Sequence, residues 1–236
     1  MIKLITRTIL VLLISAGFKY SHCQIIKTVS IEFERELTKN KKIEKNVGRV
    51  FCQDTITTIV RMKDPVNQWV LYEKNKITIY YPEEKRAFRI MFKFPFSDPF
   101  YQALVSVTQE DFGLIDLGYT MSRYERNDTK LLAIWTPPKN ASKYLGEFSL
   151  EYQDNKIISS EIKDAKGNTI SKSIYKNHIR YGSYSIPMEI YTIYYSNSHR
   201  SFELIKFKNP HFNSPLPEEI INFKIPKKIK VEEIIW

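Results

Sequence analysis

The sequence predicts a mainly β, α+β protein: one large antiparallel sheet, curled into a barrel or half-barrel, with a single helical excursion. Three observations carry that expectation. Residues 69 to 92 read as three consecutive strands joined by two polar turns. In them Trp69 and Leu71 share one side, as do Ile77, Ile79 and Tyr81, and then Phe88, Ile90 and Phe92. The composition is 43% hydrophobic and 14% aromatic with 7 glycines, which favours half-buried strands over helices and argues against disorder. Only one stretch, after Pro99, places apolar residues at helical spacing.

In chain order, Lys3 and Arg7 precede an apolar run from Thr8 to Phe18, and Ser21-His22-Cys23 is followed by Gln24, the pattern of an export signal over residues 1–23 cleaved near Cys23/Gln24. The run is well short of the roughly twenty residues a membrane-spanning helix needs. The expectation is therefore an exported, soluble single domain over residues 24–236. Cys23 opens a second reading, a lipid-anchored form, but Lys19-Tyr20-Ser21-His22 are bulky and polar where a lipoprotein signal wants leucine and then small residues. With cleavage after Cys23, Cys52 is the remaining thiol, so stability comes from a core rather than an internal disulfide. Beside Phe51, Cys52 reads as a small buried hydrophobe.

Val29, Ile31, Phe33 and Leu37 alternate with polar residues and give a first strand; Val47 to Gln53 and Ile56 to Met62 follow, and then the three strands of residues 69 to 92. Ser97-Asp98-Pro99 reads as a helix start, with Phe100, Leu104, Val107, Phe112 and Ile115 at helical spacing and a break near Gln109 to Gly113. Strands resume at Leu117 to Tyr124, Lys130 to Trp135, Tyr144 to Tyr152, Lys156 to Lys163, Thr169 to Tyr175, Met188 to Tyr195 and Ser201 to Lys208. Asp154-Asn155 and Asp164 to Asn168 supply turn residues. A polar loop from Asn209 to Pro217, the segment Ile220 to Ile225 and a terminal strand ending at Trp236 close the chain in a meander. A sheet of that width must curl, leaving an apolar hollow under the helix.

The formal charge is +10, and removing residues 1–23 with Lys3, Arg7 and Lys19 leaves +7. That balance suits anionic lipid headgroups, with nucleic acid as the competing partner. Export and the scattering of lysines along the strands favour solvated strand faces and no nucleic-acid partner. His22, His178, His199 and His211 are not at metal-pair spacing, and no Gly-x-Ser-x-Gly elbow, phosphate loop or Cys-x-x-Cys is present. Glu83-Glu84 and Glu218-Glu219 read as solvated charge. No catalytic residue, metal site or cofactor is assigned, and the protein is expected not to be an enzyme.

Gly48-Arg49-Val50, the Trp69 strand, the turn at Tyr80-Tyr81-Pro82, the Pro99 helix, Asp164 to Asn168 and Phe223-Lys224-Ile225-Pro226 resemble the LolA-type periplasmic lipoprotein carriers and their lipoprotein-sorting relatives over nearly the whole chain. The resemblance implies an incomplete β-barrel with a helical lid, and a monomer whose hydrophobic cavity takes the acyl chains of a lipoprotein or other lipid. It also implies shuttling between an inner-membrane release complex and an outer-membrane acceptor. Two departures stand out. Only Gln24 to Thr28 precedes the first strand, where such proteins begin with an amphipathic helix, and Gln53-Asp54-Thr55 occupies the place of their basic residue and proline, so no lid-locking arginine is carried over.

The candidate lipid-binding set is Phe100, Leu104 and Phe112 covering a cavity lined by Phe33, Val50, Trp69, Leu71, Ile77, Ile79, Phe88, Ile90 and Phe92, with ordinary core packing as the alternative for each. A carrier answers a physical need, since exposing an acyl chain of around fifteen carbons to water costs on the order of 12 kcal/mol at about 0.8 kcal/mol per methylene. The alternative function is a periplasmic sensor or envelope-assembly binding module of the same fold.

Overall fold

Period-two alternation becomes two runs of strands in the computed structural model, which describes residues 26–53, 57–73, 76–92, 111–196 and 199–235. The first run is β1 (Thr28–Lys39), β2 (Lys42–Gln53), β3 (Thr57–Asp64), β4 (Gln68–Glu73), β5 (Lys76–Tyr81) and β6 (Arg86–Met91). The second is β7 (Thr120–Arg126), β8 (Lys130–Thr136), β9 (Leu145–Gln153), β10 (Lys156–Asp164) and β11 (Thr169–Lys176). A short hairpin of β12 (Ile179–Tyr181) and β13 (Tyr184–Ile186) follows, then β14 (Glu189–Tyr195), β15 (Arg200–Phe212), one helical turn α1 (Glu218–Ile221) and β16 (Val231–Ile235). The tight turns form where the sequence supplies residues that tolerate positive φ, as at Asn40-Lys41 and Asp154-Asn155.

Across the 14-stranded sheet the order is β16-β6-β5-β4-β3-β2-β1-β15-β14-β11-β10-β9-β8-β7. Each run is internally a meander, as expected, but the whole is not. The chain passes from β6 near one edge to β7 at the other, β15 returns to the centre beside β1, and β16 lies parallel to β6. The sheet is therefore open, with β16 and β7 as its two edges. Other differences are local. β15 runs on through Pro210 to Phe212 where a polar loop was expected, beside an irregularity in β1 between Ser30 and Glu32. The segment from Ile220 begins as the end of a helical turn rather than as a strand.

Residues 111–118 form turns, not helix: Phe112 and Gly113 have φ of 58° and 68°, and Ile115 is 65% exposed, so the helical spacing of Phe112 and Ile115 does not correspond to a helix face. The helix start at Ser97-Asp98-Pro99, with Phe100 and Leu104, lies outside the described residues, as does the export signal. Among the described residues α1 is the helix, and the helical lid is not part of them. No helix among them is long and apolar enough to cross a membrane.

One face of the sheet carries the main core, joining Ile31, Phe33, Val50, Val60 and Val70 of the first run to Phe148, Leu150, Ile162 and Tyr175 of the second and to Ile190 of β14 and Ile205 of β15. Leu114, Leu117 and Tyr119 from the turn segment and Ile186 from β13 close over it. Phe33 lies across Gly48, where an added Cβ would sit 2.8 Å from its ring and 2.4 Å from the Arg61 carbonyl oxygen. The opposite face of β2 to β5 is covered by the C-terminal segment: Leu216, Ile220 and Phe223 pack on Phe51, Ile59, Trp69, Leu71 and Tyr80. Trp69 stacks on Phe223 with centroids 4.5 Å apart and Arg61 over its ring at 4.8 Å, and Arg61 pairs with Glu219 at 2.8 Å.

Candidate functional site

The end of the second run holds a cavity. β7 and β8 are joined through residues 127–129 and β9 and β10 through Asp154-Asn155, and Lys130 and Lys156 both lie opposite Gln153. These two turns therefore sit side by side at one end of the sheet. The β12–β13 hairpin, inserted between β11 and β14, folds over the same end, with Ile186 1% exposed and Tyr181 packed on Phe212 at 4.5 Å. Between hairpin, strands and the turn at Phe112 lies a cavity of about 850 Å³. Its apolar wall comes from Phe112, Met121, Leu131, Ala133, Ile157 and Ile186. Three tyrosines, Tyr124, Tyr152 and Tyr184, join that wall, and Arg126, Asp128, Lys130 and Asp154 stand at its turn end. The strand residues face it because pairing aligns Tyr124 with Ala133 and Ala133 with Leu150, and Leu131 with Tyr152.

The expected lining residues divide into three groups. Phe112 lines this cavity and meets Tyr175 edge-on at 5.5 Å. Phe33, Val50, Ile77, Ile79 and Phe92 belong to the main core cluster. Phe88 lies opposite Ile79 and Ile90 opposite Ile77, so both are on that same face, although not among the cavity's lining residues. Trp69 and Leu71 are on the other face, beneath the C-terminal segment. The reason is register. The tight hairpin after Glu73 pairs it with Lys76, which sets Trp69 opposite Tyr80 and Val70 opposite Ile79. Odd residues of β4 thus share a face with even residues of β5, and Val70 and Tyr72 take the inner positions expected of Trp69 and Leu71.

Sequence reading missed Met121, Tyr124, Leu131, Tyr152, Ile157 and Ile186. The alternation Leu131, Ala133, Trp135 was an available signal, and so was Gly182 between Ile179–Tyr181 and Tyr184–Ile186 as a hairpin turn.

Beyond the cavity the core face carries a line of paired polar groups. The Ser160 and Tyr175 hydroxyls share a hydrogen bond of 2.9 Å, and so do those of Ser173 and Thr192. Glu203, whose side chain is fully buried, accepts from the Tyr194 hydroxyl at 2.6 Å and pairs with Arg35. Burial pushes the Tyr175 hydroxyl up to about 12 against the opposing effect of its serine partners, and the Tyr119 hydroxyl likewise to about 12. Cys52, buried and in contact with the Thr58 hydroxyl at 3.6 Å, is pushed up to about 11. Among the described residues no histidine or cysteine lines the cavity. Among the described residues no three of His, Cys, Asp and Glu gather as metal ligands.

No family model matches the sequence, and no curated protein matches it. Solved structures do. A LolA superfamily protein from Nitrosomonas europaea aligns with a TM-score of 0.58 at 14% identity, over 85% of this chain and 92% of that one. A DUF1329 family protein from Desulfovibrio piger aligns at 0.63 and 13% identity, over 89% and 97%. An outer membrane lipoprotein-sorting protein domain from Vibrio parahaemolyticus aligns at 0.59 and 13% identity, over 83% and 89%. At such low identity the likeness concerns backbone arrangement, and it is consistent across the three: this chain has a LolA-like fold.

Proposed function

We propose that the protein is a non-enzymatic periplasmic carrier that takes the acyl chains of a lipoprotein or another lipid into the cavity between β7–β10, the β12–β13 hairpin and Phe112. The cavity carries this reading. At about 850 Å³, it falls within the roughly 300–1,000 Å³ of small-molecule sites, and its wall is apolar while its charges gather at one end. That division suits an amphiphile lying with its tail along β8 and its polar group at the turns. Removing a fifteen-carbon tail from water contributes on the order of 12 kcal/mol, enough to offset the losses of ordering it. The LolA-like fold supports the carrier role, and the signal-like residues 1–23 support export. Shuttling between an inner-membrane release complex and an outer-membrane acceptor completes the proposal.

The test is native mass spectrometry of the mature protein purified without detergent, together with titration of a fluorescent fatty-acid probe. The proposal expects co-purified lipid or saturable probe binding at one site. A clean apo mass with no probe binding would remove the carrier role.

A further inference from the structure

We infer that the preferred ligand of the cavity is a zwitterionic glycerophospholipid, its phosphate met by Arg126 and its ammonium by the carboxylates of Asp128 and Asp154. This rests on the carrier reading above and adds the headgroup. Three charged side chains at the turn end of the cavity have no partner among the described residues: Arg126, Asp128 and Asp154. Two neighbouring cations are already paired. Lys130 pairs with Glu151 at 2.8 Å, and Arg123 with Glu125 at 3.4 Å.

Strand parity places Arg126 on the cavity face. Arg126 lies opposite Leu131, a cavity-lining residue, and so belongs to the cavity face. Lys130 also lines the turn end, but its ammonium is held by Glu151 at 2.8 Å. The carboxylates are not consumed by turn closure either. In the β7–β8 turn the backbone N–H groups of Thr129 and Lys130 donate to Asn127 Oδ1 at 3.3 and 2.9 Å, leaving Asp128 aside. In the β9–β10 turn Asp154 and Asn155 take φ of 51° and 59°, so the turn is made by backbone conformation.

Charge complementarity then discriminates among amphiphiles. A diacylglycerol brings no charge and leaves all three groups without a counterpart. A fatty acid or an anionic phospholipid meets Arg126 alone and sets its own charge beside two carboxylates. The glyceryl-cysteine end of a triacylated polypeptide is uncharged at the position a headgroup would occupy. A lipid carrying phosphate and ammonium answers both signs, with the planar guanidinium suited to bidentate contact with phosphate oxygens.

The experiment displaces a fluorescent fatty-acid probe from the mature protein with four competitors: dioctanoyl phosphatidylethanolamine, dioctanoyl phosphatidylglycerol, dioctanoylglycerol and a triacylated lipopeptide. The ethanolamine lipid is expected to compete at roughly tenfold lower concentration than the glycerol lipid, a factor worth about 1.4 kcal/mol. Asp128→Asn with Asp154→Asn should abolish that advantage, and Arg126→Gln should abolish the advantage of both phospholipids over dioctanoylglycerol. All three positions are exposed, so the variants are expected to fold, and retained probe affinity checks this. Equal competition by the four, or a preference for the lipopeptide, overturns the headgroup inference while leaving the carrier standing. Failure of the probe to bind the unaltered protein overturns both.

Discussion

Trp69 separates the two faces of the sheet, and replacing it tests the register that assigns them. The ring is 8% exposed, stacked on Phe223 at 4.5 Å with an interplanar angle of 8°, and lies under the Arg61 guanidinium at 4.8 Å. Trp69→Ala removes the ring from a packed site, which costs about 3–5 kcal/mol, of which the aromatic pair accounts for roughly 0.5–1.5 and the cation–π contact for about 0.5–1. For a chain of this length that lowers Tm by roughly 6–20 °C, at about 2–4 °C per kcal/mol. Trp69→Phe retains a ring against Phe223 and should cost about 1–2 kcal/mol. Urea unfolding followed by far-ultraviolet circular dichroism gives the stability, and probe titration well below the transition gives the binding. Loss of stability with unchanged probe affinity in both variants is expected, because Trp69 is separated from the cavity by the sheet itself. Unchanged stability with lost probe binding in Trp69→Phe would refute the register and return Trp69 to the cavity wall.

Three further outcomes follow from the same packing. Gly48→Ala pushes a methyl against the Arg61 carbonyl oxygen and the Phe33 ring and should cost about 3 kcal/mol or more, whereas Gly167→Ala, with nothing within 4 Å but a φ of 83°, should cost about 1 in urea unfolding. Burial holds the His178 imidazole below its ordinary 6.5, with Lys156 acting in the same sense and a backbone hydrogen bond at Ile157 opposing. The unfolded chain therefore takes up a proton before the folded one. This contribution to stability is present above pH 6.5 and lost as pH falls through the lower folded value. His178→Gln should flatten the fall in Tm over that window. Cys52, with its thiol pushed up to about 11, should resist a disulfide reagent at pH 8, where about one part in a thousand is thiolate, and react only on unfolding.

Strand identity was legible because period-two patterning survives in single segments: Val29 to Leu37 and Thr169 to Tyr175 needed no partner to declare themselves. Pairing between distant segments was not. Nothing in Val231–Ile235 distinguishes a parallel partner for β6 from an antiparallel one, and the apolar residues Leu216, Ile220 and Phe223 gave no sign of which face they would cover. Parity moved two of the expected residues, Trp69 and Leu71, to the other face. Trp69 and Leu71 alternate as well as Ile77 and Ile79 do, but a tight hairpin reverses which set looks inward. On the core face of the first run, Phe33 lies across Gly48, and Val50, Val60 and Val70 are buried in the main core cluster. Beside β7, all of whose residues are exposed, the wall of the second run stays uncovered enough to leave a hollow. Phe112 was found in the sequence for a helical spacing that the backbone does not follow, yet it reaches the cavity from a turn.

The most direct measurement is photo-crosslinking of a diazirine-bearing fatty acid to the mature protein, with the labelled residues mapped by tandem mass spectrometry. The carrier account predicts labels on Leu131, Tyr152, Ile157 and Ile186, with Phe112 beside them, all lost on competition with unlabelled lipid. Labels concentrated on Val70, Ile79 and Phe88 instead would contradict it, placing the tail on the first run of strands and outside this cavity.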